Sequence, residues 1–378
     1  MLRIFSRRHG IPLRSGNEAA LLEGGHRFLE ACRQGIRGAR AHLRLEMYIW
    51  ADDAVGREMA ALLKEAMARG VKVVGLVDGM GSLGLGSLLQ DLQAAGAQLR
   101  WFHPLRFDRP PWLMNRRNHR KLLVVDGVEA YLGSANWGLD YAPDQNPEAF
   151  VDLALALRGP VVEDLVADFE EVWRRAVGPA PALPPAPGPA CFEGPWLQDV
   201  QVQALSNVRS RRVFRRHLAL LLSRAGSRVQ VANAYFVPGP LLIRLLRRLA
   251  RRGVAVEILV PGRTDSALVQ AAGRYAYGRL LSAGVKVWER QGRMLHIKAL
   301  AVDGVWIQVG STNLDPRSYD LNLELQVMIR HPVLSERVAR LMEQQMAESV
   351  AVDPVAWERR SWRQRIQEAF AYRISWLL

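Results

Sequence analysis

Two histidines in this chain arrive with the same neighbours. His119-Arg-Lys121 is followed by Asp126 and then by Gly133-Ser134-Ala-Asn136. His296-Ile-Lys298 is followed by Asp303 and then by Gly310-Ser311-Thr-Asn313. Every interval agrees between the two sets: two residues from His to Lys, five from Lys to Asp, eight from Asp to Ser, two from Ser to Asn. An imidazole can act as a nucleophile or move a proton near neutral pH. An ammonium is a compact cation that fits against a phosphate oxygen. A single H-x-K would mean little; a duplicated His, Lys, Asp, Gly-Ser and Asn framework implies one active site made by two homologous halves. His119, Lys121, Asp126, His296, Lys298 and Asp303 are the candidate catalytic residues. The remaining histidines arrive without such company and read as ordinary core or surface residues.

Lysine usage sharpens the point. Only five of the 51 basic residues are lysine, and two of those five sit two positions after the paired histidines. A chain that otherwise uses arginine has kept lysine where a small flexible cation would meet a phosphate.

Further acids follow each Gly-Ser. Glu324 precedes Leu-Gln-Val-Met-Ile, and Asp152 precedes Leu-Ala-Leu-Ala-Leu. Either could orient a histidine through its second ring nitrogen. Glu148 rivals Asp152, because Asn146-Pro-Glu148 echoes Asn322-Leu-Glu324. Asp126 and Asp303 each precede a glycine at a turn, where capping is as good a reading as chemistry.

The elements that must position these residues also repeat. Residues 43–50 read as a buried strand, an amphipathic helix runs on to Arg69, and residues 70–78 form a second strand. The second half repeats this with a strand at 229–236, a helix at 241–252 and a strand at 253–260. Strand, helix and strand of this length imply a right-handed βαβ unit. The segments 121–126 and 298–303 then read as strands whose alternation puts His and Lys on one face. A proline-rich stretch, 178–194, reads as an extended linker. It separates a first half, 1–177, from a second, 195–378.

The chain has 378 residues, 49% of them hydrophobic, and a formal charge of +14. It can bury two cores, and it calls for an anionic partner. Two cysteines give no disulfide framework and no zinc cluster; no metal and no cofactor are expected. No apolar run is long enough to span a bilayer, and the N-terminus does not resemble a cleaved signal.

Two segments suggest a membrane. Aligning the halves by Gly96 and Gly284 places 11 extra residues before His119. This insert carries Trp112, Leu113 and Met114 with Arg106, Arg109, Arg116 and Arg117 around them, and reads as a membrane-facing lip. At the C-terminus Trp362, Ile366, Phe370 and Ile374 recur every four residues among arginines, as on an amphipathic helix. Apolar groups interleaved with arginine favour lipid over nucleic acid.

The doubled pattern resembles the signature of the phospholipase D superfamily, over nearly the whole chain. Leu45-Glu-Met-Tyr-Ile-Trp50, Tyr235-Phe-Val-Pro238 and Gly310-Ser-Thr-Asn-Leu-Asp-Pro-Arg-Ser318 narrow the resemblance to bacterial cardiolipin synthases, in a short form without N-terminal transmembrane helices. The first copy departs from the second, with Trp137-Gly-Leu-Asp140 in place of Leu314-Asp-Pro-Arg-Ser318. The resemblance implies an α/β fold of two phospholipase D-like halves packed as a pseudo-dimer, each with a central mixed sheet flanked by helices. It implies a phosphatidyl group passing between two phosphatidylglycerol molecules through a phosphohistidine. His119 is assigned as nucleophile and His296 as general acid; internal symmetry leaves the reverse order open. Lys121, Lys298, Asn136 and Asn313 would surround the phosphate oxygens, with Ser134 and Ser311 donating further and Asp152 and Glu324 in support. The protein would sit peripherally on the cytoplasmic side of a bacterial membrane, bound to phosphatidylglycerol and cardiolipin. Hydrolytic phospholipases, nucleases of the superfamily and a non-catalytic membrane-binding protein are the alternatives.

Overall fold

A computed structural model describes residues 11–104, 115–184 and 191–375. The chain forms two compact units. The first comprises residues up to Ser210 together with Val309–Ser311 and Asn322–Met328; the second holds Arg211–Gln308, Thr312–Leu321 and Ile329 onward. The units therefore do not part at the proline-rich stretch expected as the boundary. Beyond it the chain returns to the first unit, where the amides of Cys191 and Phe192 donate to the buried Glu129 carboxylate.

In chain order the first unit contains β1 (Arg14–Glu23), α1 (Gly25–Gly38), β2 (His42–Met47), α2 (Ala54–Ala68), β3 (Lys72–Asp78), α3 (Gly86–Ala94), β4 (Gln98–Phe102), β5 (Leu122–Val125), β6 (Glu129–Gly133), β7 (Leu153–Arg158), α4 (Val161–Ala176) and β8 (Leu197–Ser206). Its strands run β8-β1-β7-β6-β5-β2-β3-β4. The βαβ expectation holds: β2, β3 and β4 are parallel, and β5 turns back antiparallel against β2. The sheet is mixed. Every residue of β2, β5 and β6 is buried, the polar His42, Arg44, Glu46 and Glu129 included, as in strands covered on both faces.

The second unit repeats the plan with α5 (Val213–Ser223), β9 (Arg228–Asn233), α6 (Pro240–Arg251), β10 (Ala255–Pro261), α7 (Ala267–Arg274), α8 (Tyr277–Leu281), β11 (Lys286–Arg290), β12 (Lys298–Val302), β13 (Trp306–Gly310), α9 (Pro316–Asp320), β14 (Leu325–Arg330), α10 (Pro332–Ala347), β15 (Ser349–Ala351), α11 (Pro354–Glu358) and α12 (Trp362–Arg373). Its strand order is β15-β11-β10-β9-β12-β13, with β9, β10 and β11 parallel and β12 antiparallel to β9. The start of β14 belongs to the first unit, beside β8.

The two Asp-Gly pairs make the hairpin turns. Asp126 and Gly127 both have positive φ, as do Asp303 and Gly304. Each connection has three residues, 126–128 and 303–305, and its two left-handed residues lie inside a turn closed by the Val128 and Val305 amides on the Val125 and Val302 carbonyls.

The C-terminal helix presents most of its expected stripe to the outside and departs from it only at its end. α12 buries Glu368 and Ala371 and half-buries Tyr372. Tyr372 stacks on Tyr275 at 4.5 Å and its hydroxyl donates to the Pro238 carbonyl. The opposite face carries Trp362, Ile366 and Phe370, exposed at 66, 58 and 64%. Ile374 is half-buried and leaves that stripe. The helix thus docks through a mixed face and turns its apolar stripe outward.

Candidate active site

His119 and Lys121 precede β5 at alternate positions, so both side chains leave the same side of the strand. The His119 ring lies edge-on to Tyr48 at 4.6 Å, and Lys121 Nζ sits 4.8 Å over that ring. Lys121 Nζ also donates to the His119 carbonyl at 2.6 Å. The ring is oriented by Glu324, whose carboxylate oxygens lie 3.0 and 3.1 Å from Nδ1. Glu324 is fully buried. A carboxylate on Nδ1 fixes the ring and leaves Nε2 as the nitrogen that can carry chemistry.

Glu324 is itself built into place. Ser311 Oγ donates to it, and its amide donates to Asn207 Oδ1 at 2.9 Å. Its neighbour Leu323 forms a parallel bridge with Asn118: the His119 amide donates to the Leu323 carbonyl, and the Leu323 amide to the Arg117 carbonyl. An acid from the second sequence repeat thus serves the histidine of the first, inside one unit. In the first repeat Ser134 donates to Asp152 in the same way. Asp152 is buried, whereas Glu148 is exposed, which decides between those two acids.

Beneath His119 lies an ion cluster that sequence reasoning did not single out. Arg120, fully buried, pairs with Glu46 at 2.9 Å and Asp168 at 2.6 Å. Asn118 Nδ2 donates to Glu46 Oε1 at 3.0 Å. Burial pushes the Glu46 carboxyl up, against the pull of Arg120 and Asn118. Asp78 anchors the same segment by accepting from the Asn118 amide at 2.8 Å.

In the second unit, Lys298 Nζ lies 3.0 Å from His296 Nε2 and donates to the His296 carbonyl at 3.0 Å. Both side chains are buried. The buried Asn313 Oδ1 has no hydrogen-bond partner among the described residues, a natural place for a donor such as an alcohol. The Asn313 amide donates to Ser318 Oγ, and Asp315 caps α9 through the Ser318 amide at 2.7 Å. Burial pushes the Asp315 carboxyl up to about 6, although Ser318, Arg317 and Lys298 pull it down.

Several expected roles change. Asp126 accepts from the amides of Arg40, Ala41 and His42, and Asp303 from those of Gly226, Ser227 and Arg228. Each sits seven residues past its histidine, at the far end of a strand that rises about 3.3 Å per residue. They position strands and do not reach the reacting atoms. The Ser134 and Ser311 hydroxyls donate to Asp152 and Glu324. Asn136 accepts from the Ile49 amide and donates to the Tyr141 hydroxyl, so it braces the loop after β2. Arg117 is fully buried, donating to the His103 carbonyl at 2.9 Å beside Asp78; it is a structural cation, not part of an exposed lip. Arg116 is exposed. Trp112, Leu113 and Met114 lie outside the described residues, as do Arg106 and Arg109. Among the described residues, no group of three His, Cys, Asp or Glu is arranged to hold a metal, and no helix is long and apolar enough to cross a membrane.

Two mixed α/β repeats, each with a histidine and a lysine on one side of a buried strand, define a phospholipase D-like protein. The chain belongs to the family described as cardiolipin synthase, PLD-like domain, which matches residues 32–173 and 218–346. Cardiolipin synthase B of Escherichia coli K12 is 36% identical over 335 residues, covering 84% of this chain and 77% of that protein. Cardiolipin synthase of Geobacillus thermodenitrificans is 30% identical over 372 residues, covering 97% of this chain and 74% of that protein. The crystal structure of phosphatidylserine synthase from Haemophilus influenzae Rd KW20 shares the fold, with a TM-score of 0.70, 15% identity and coverage of 95% of this chain and 93% of that one.

Proposed function

We propose that this protein is a cardiolipin synthase that moves a phosphatidyl group between two phosphatidylglycerol molecules and releases glycerol. The observation that carries the reading is the buried Glu324–His119 pair, supported by the family relationship. His119 Nε2 attacks phosphorus and the bond from phosphorus to the glycerol oxygen breaks. His296 gives its proton to that oxygen as it leaves. The hydroxyl of a second phosphatidylglycerol then gives a proton to His296 while its oxygen attacks phosphorus and the P–N bond breaks. Lys121 and Lys298 offset the charge on the non-bridging oxygens. No metal enters these steps.

The substrate places the enzyme on an anionic membrane, peripherally and on its cytoplasmic side. Supporting this, Trp362, Ile366 and Phe370 face outward between the exposed Arg359, Arg363, Arg365 and Arg373, a combination that suits an acidic lipid surface.

The test is incubation with phosphatidylglycerol vesicles and mass spectrometry of the products. Cardiolipin and glycerol should form in equal amounts. Phosphatidic acid alone would make the protein a hydrolase, and cleavage of single-stranded DNA at a comparable rate would make it a nuclease. His119→Ala and His296→Ala should each lose at least about 10²-fold in turnover. Wild type denatured at alkaline pH, where a P–N bond survives, should carry phosphorus on His119; label confined to His296 would reverse the roles.

A further inference from the structure

A second feature of this chain bears on how lipid is held. Between Asp199 and Glu257 lie 57 residues without a single acid, and they contain 12 arginines. Helices α5 and α6 fall in this stretch. α6 buries Leu242, Ile243, Leu246 and Leu249 and sends Arg244 and Arg248 outward. Between α5, the start of α6 and the short α9 lies an open cleft of about 140 Å³. Leu218, Ala219, Leu241, Leu242, Leu245 and Tyr319 line it. Leu241, at its edge, is 47% exposed.

The cleft shares α9 with the chain that leaves the second catalytic segment. Pro316 and Tyr319, two of its walls, belong to α9, which Asp315 caps and whose Ser318 hydroxyl accepts from the Asn313 amide. Pro316 is three residues from Asn313, at most about 10 Å of chain. The other wall starts at Gly239, just after Val237, whose amide donates to the Leu314 carbonyl at 3.0 Å. The mouth is held open by Arg215, which clamps Asp320 through both nitrogens at 2.6 Å and lies 5.0 Å over the Tyr319 ring.

We propose that this cleft is an acyl-chain subsite, taking the first part of one fatty chain of an anionic phospholipid substrate. Charge complementarity selects the occupant. The chemistry needed is a hydrocarbon tail attached to a phosphate, and here an apolar slot opens among arginines, with the acid at its mouth, Asp320, already paired with Arg215, on the element that follows Asn313 in the chain. The inference rests on the phosphatidyl-transfer reading and specifies where the lipid tail lies during it.

The test uses the full chain, phosphatidylglycerols with acyl chains from two to sixteen carbons in detergent micelles, and bis(4-nitrophenyl) phosphate as a chain-free diester. Each methylene buried should raise kcat/KM about fourfold until the cleft is full. Ala219→Trp fills the cleft and Leu241→Asp charges its edge. Leu241 is exposed, so its replacement leaves the core untouched. Both variants should flatten the chain-length dependence and keep activity on the chain-free diester within about twofold. A phosphatidylglycerol bearing a diazirine near the carbonyl end of its chain should cross-link to α5 or α6 of the wild type and not of Ala219→Trp. An unchanged chain-length slope in both variants, equal loss on both substrates, a loss explained by weaker vesicle binding, or cross-links mapping elsewhere would each overturn the subsite. Cross-links in the cleft without cardiolipin formation would sink the proposed function and keep the subsite; cardiolipin formation with cross-links elsewhere would do the reverse.

Discussion

Glu324→Gln is the sharpest probe of the site. The carboxylate oxygens lie 3.0 and 3.1 Å from His119 Nδ1, and the acid is fully buried. With charge spread over both groups, the centres of an imidazolium and this carboxylate are roughly 4 Å apart, worth about 4 kcal/mol at an effective dielectric near 20. Glutamine keeps an acceptor oxygen for the Nδ1 proton, so about 1 kcal/mol of neutral hydrogen bond survives. The net loss of about 3 kcal/mol falls on the step that places positive charge on the ring, and corresponds to roughly 10²-fold in kcat/KM. The assay is kcat/KM on phosphatidylglycerol vesicles and on a soluble diester, with thermal unfolding measured in parallel. Both substrates should lose activity by the same factor. Glu148→Gln, at an exposed acid with the same spacing from Asn146, should change nothing. A loss under fivefold in a folded Glu324→Gln protein would refute the argument that this carboxylate supports charge on His119.

Four further outcomes are expected. Asp303→Asn should lower stability by about 1–2 kcal/mol near neutral pH while activity per folded molecule stays within tenfold; partial burial pushes the Asp303 carboxyl up, but the amides of Arg228, Gly226 and Ser227 and the Ser227 hydroxyl hold it below the usual range. Its contribution is therefore present above about pH 4 and lost as pH falls through the lower folded value, so urea unfolding should show the gap to wild type closing as pH falls below about 4; a gap constant with pH would contradict this. Arg120→Met leaves the buried Glu46 and the half-buried Asp168 without their cation and should cost about 3–5 kcal/mol in the same assay, with a change below 1 kcal/mol counting against it. Replacing Trp362, Ile366 and Phe370 together by serine should weaken binding to anionic vesicles at least about tenfold without lowering Tm, because all three are exposed; unchanged vesicle binding would rule that face out. Turnover should persist in EDTA, and a loss restored by Mg²⁺ or Zn²⁺ would argue against charge offset by lysine alone.

Much of this was legible in the residues. The His-x-Lys spacing, the Asp-Gly hairpins and the two βαβ units follow from period-two alternation and turn chemistry, which act over a few residues. β2, α2 and β3, and their counterparts β9, α6 and β10, lie within two or three residues of where periodicity puts them. What escaped was long-range. Nothing local marks Arg120 as the partner of Glu46 and Asp168, since those contacts join residues 74 and 48 positions away. β1 was also invisible: Arg-Ser-Gly-Asn-Glu makes a poor strand opening, and its pairing with β8 slips register twice. The outward stripe of α12 agrees with its spacing in the sequence, apart from the half-buried Ile374; what the spacing does not say is which residues dock the helix, and Ala371, Glu368 and Tyr372 decide that by packing. The aspartates of the two repeats looked catalytic because they travel with the histidines, yet they travel as strand clamps.

The exchange of segments between the units also sets an order in time. His119 belongs to a unit whose carboxylate, Glu324, lies 114 residues beyond Ser210, where the unbroken part of that unit ends. At 5–20 residues per second, a ribosome delivers that acid roughly ten seconds after the rest. Until then the nascent chain exposes an unpaired edge beside β8 and a histidine without its orienting partner. An N-terminal fragment cut at the proline-rich stretch would carry a whole sequence repeat and an unfinished site, so chemistry switches on only when nearly all of the protein has left the tunnel.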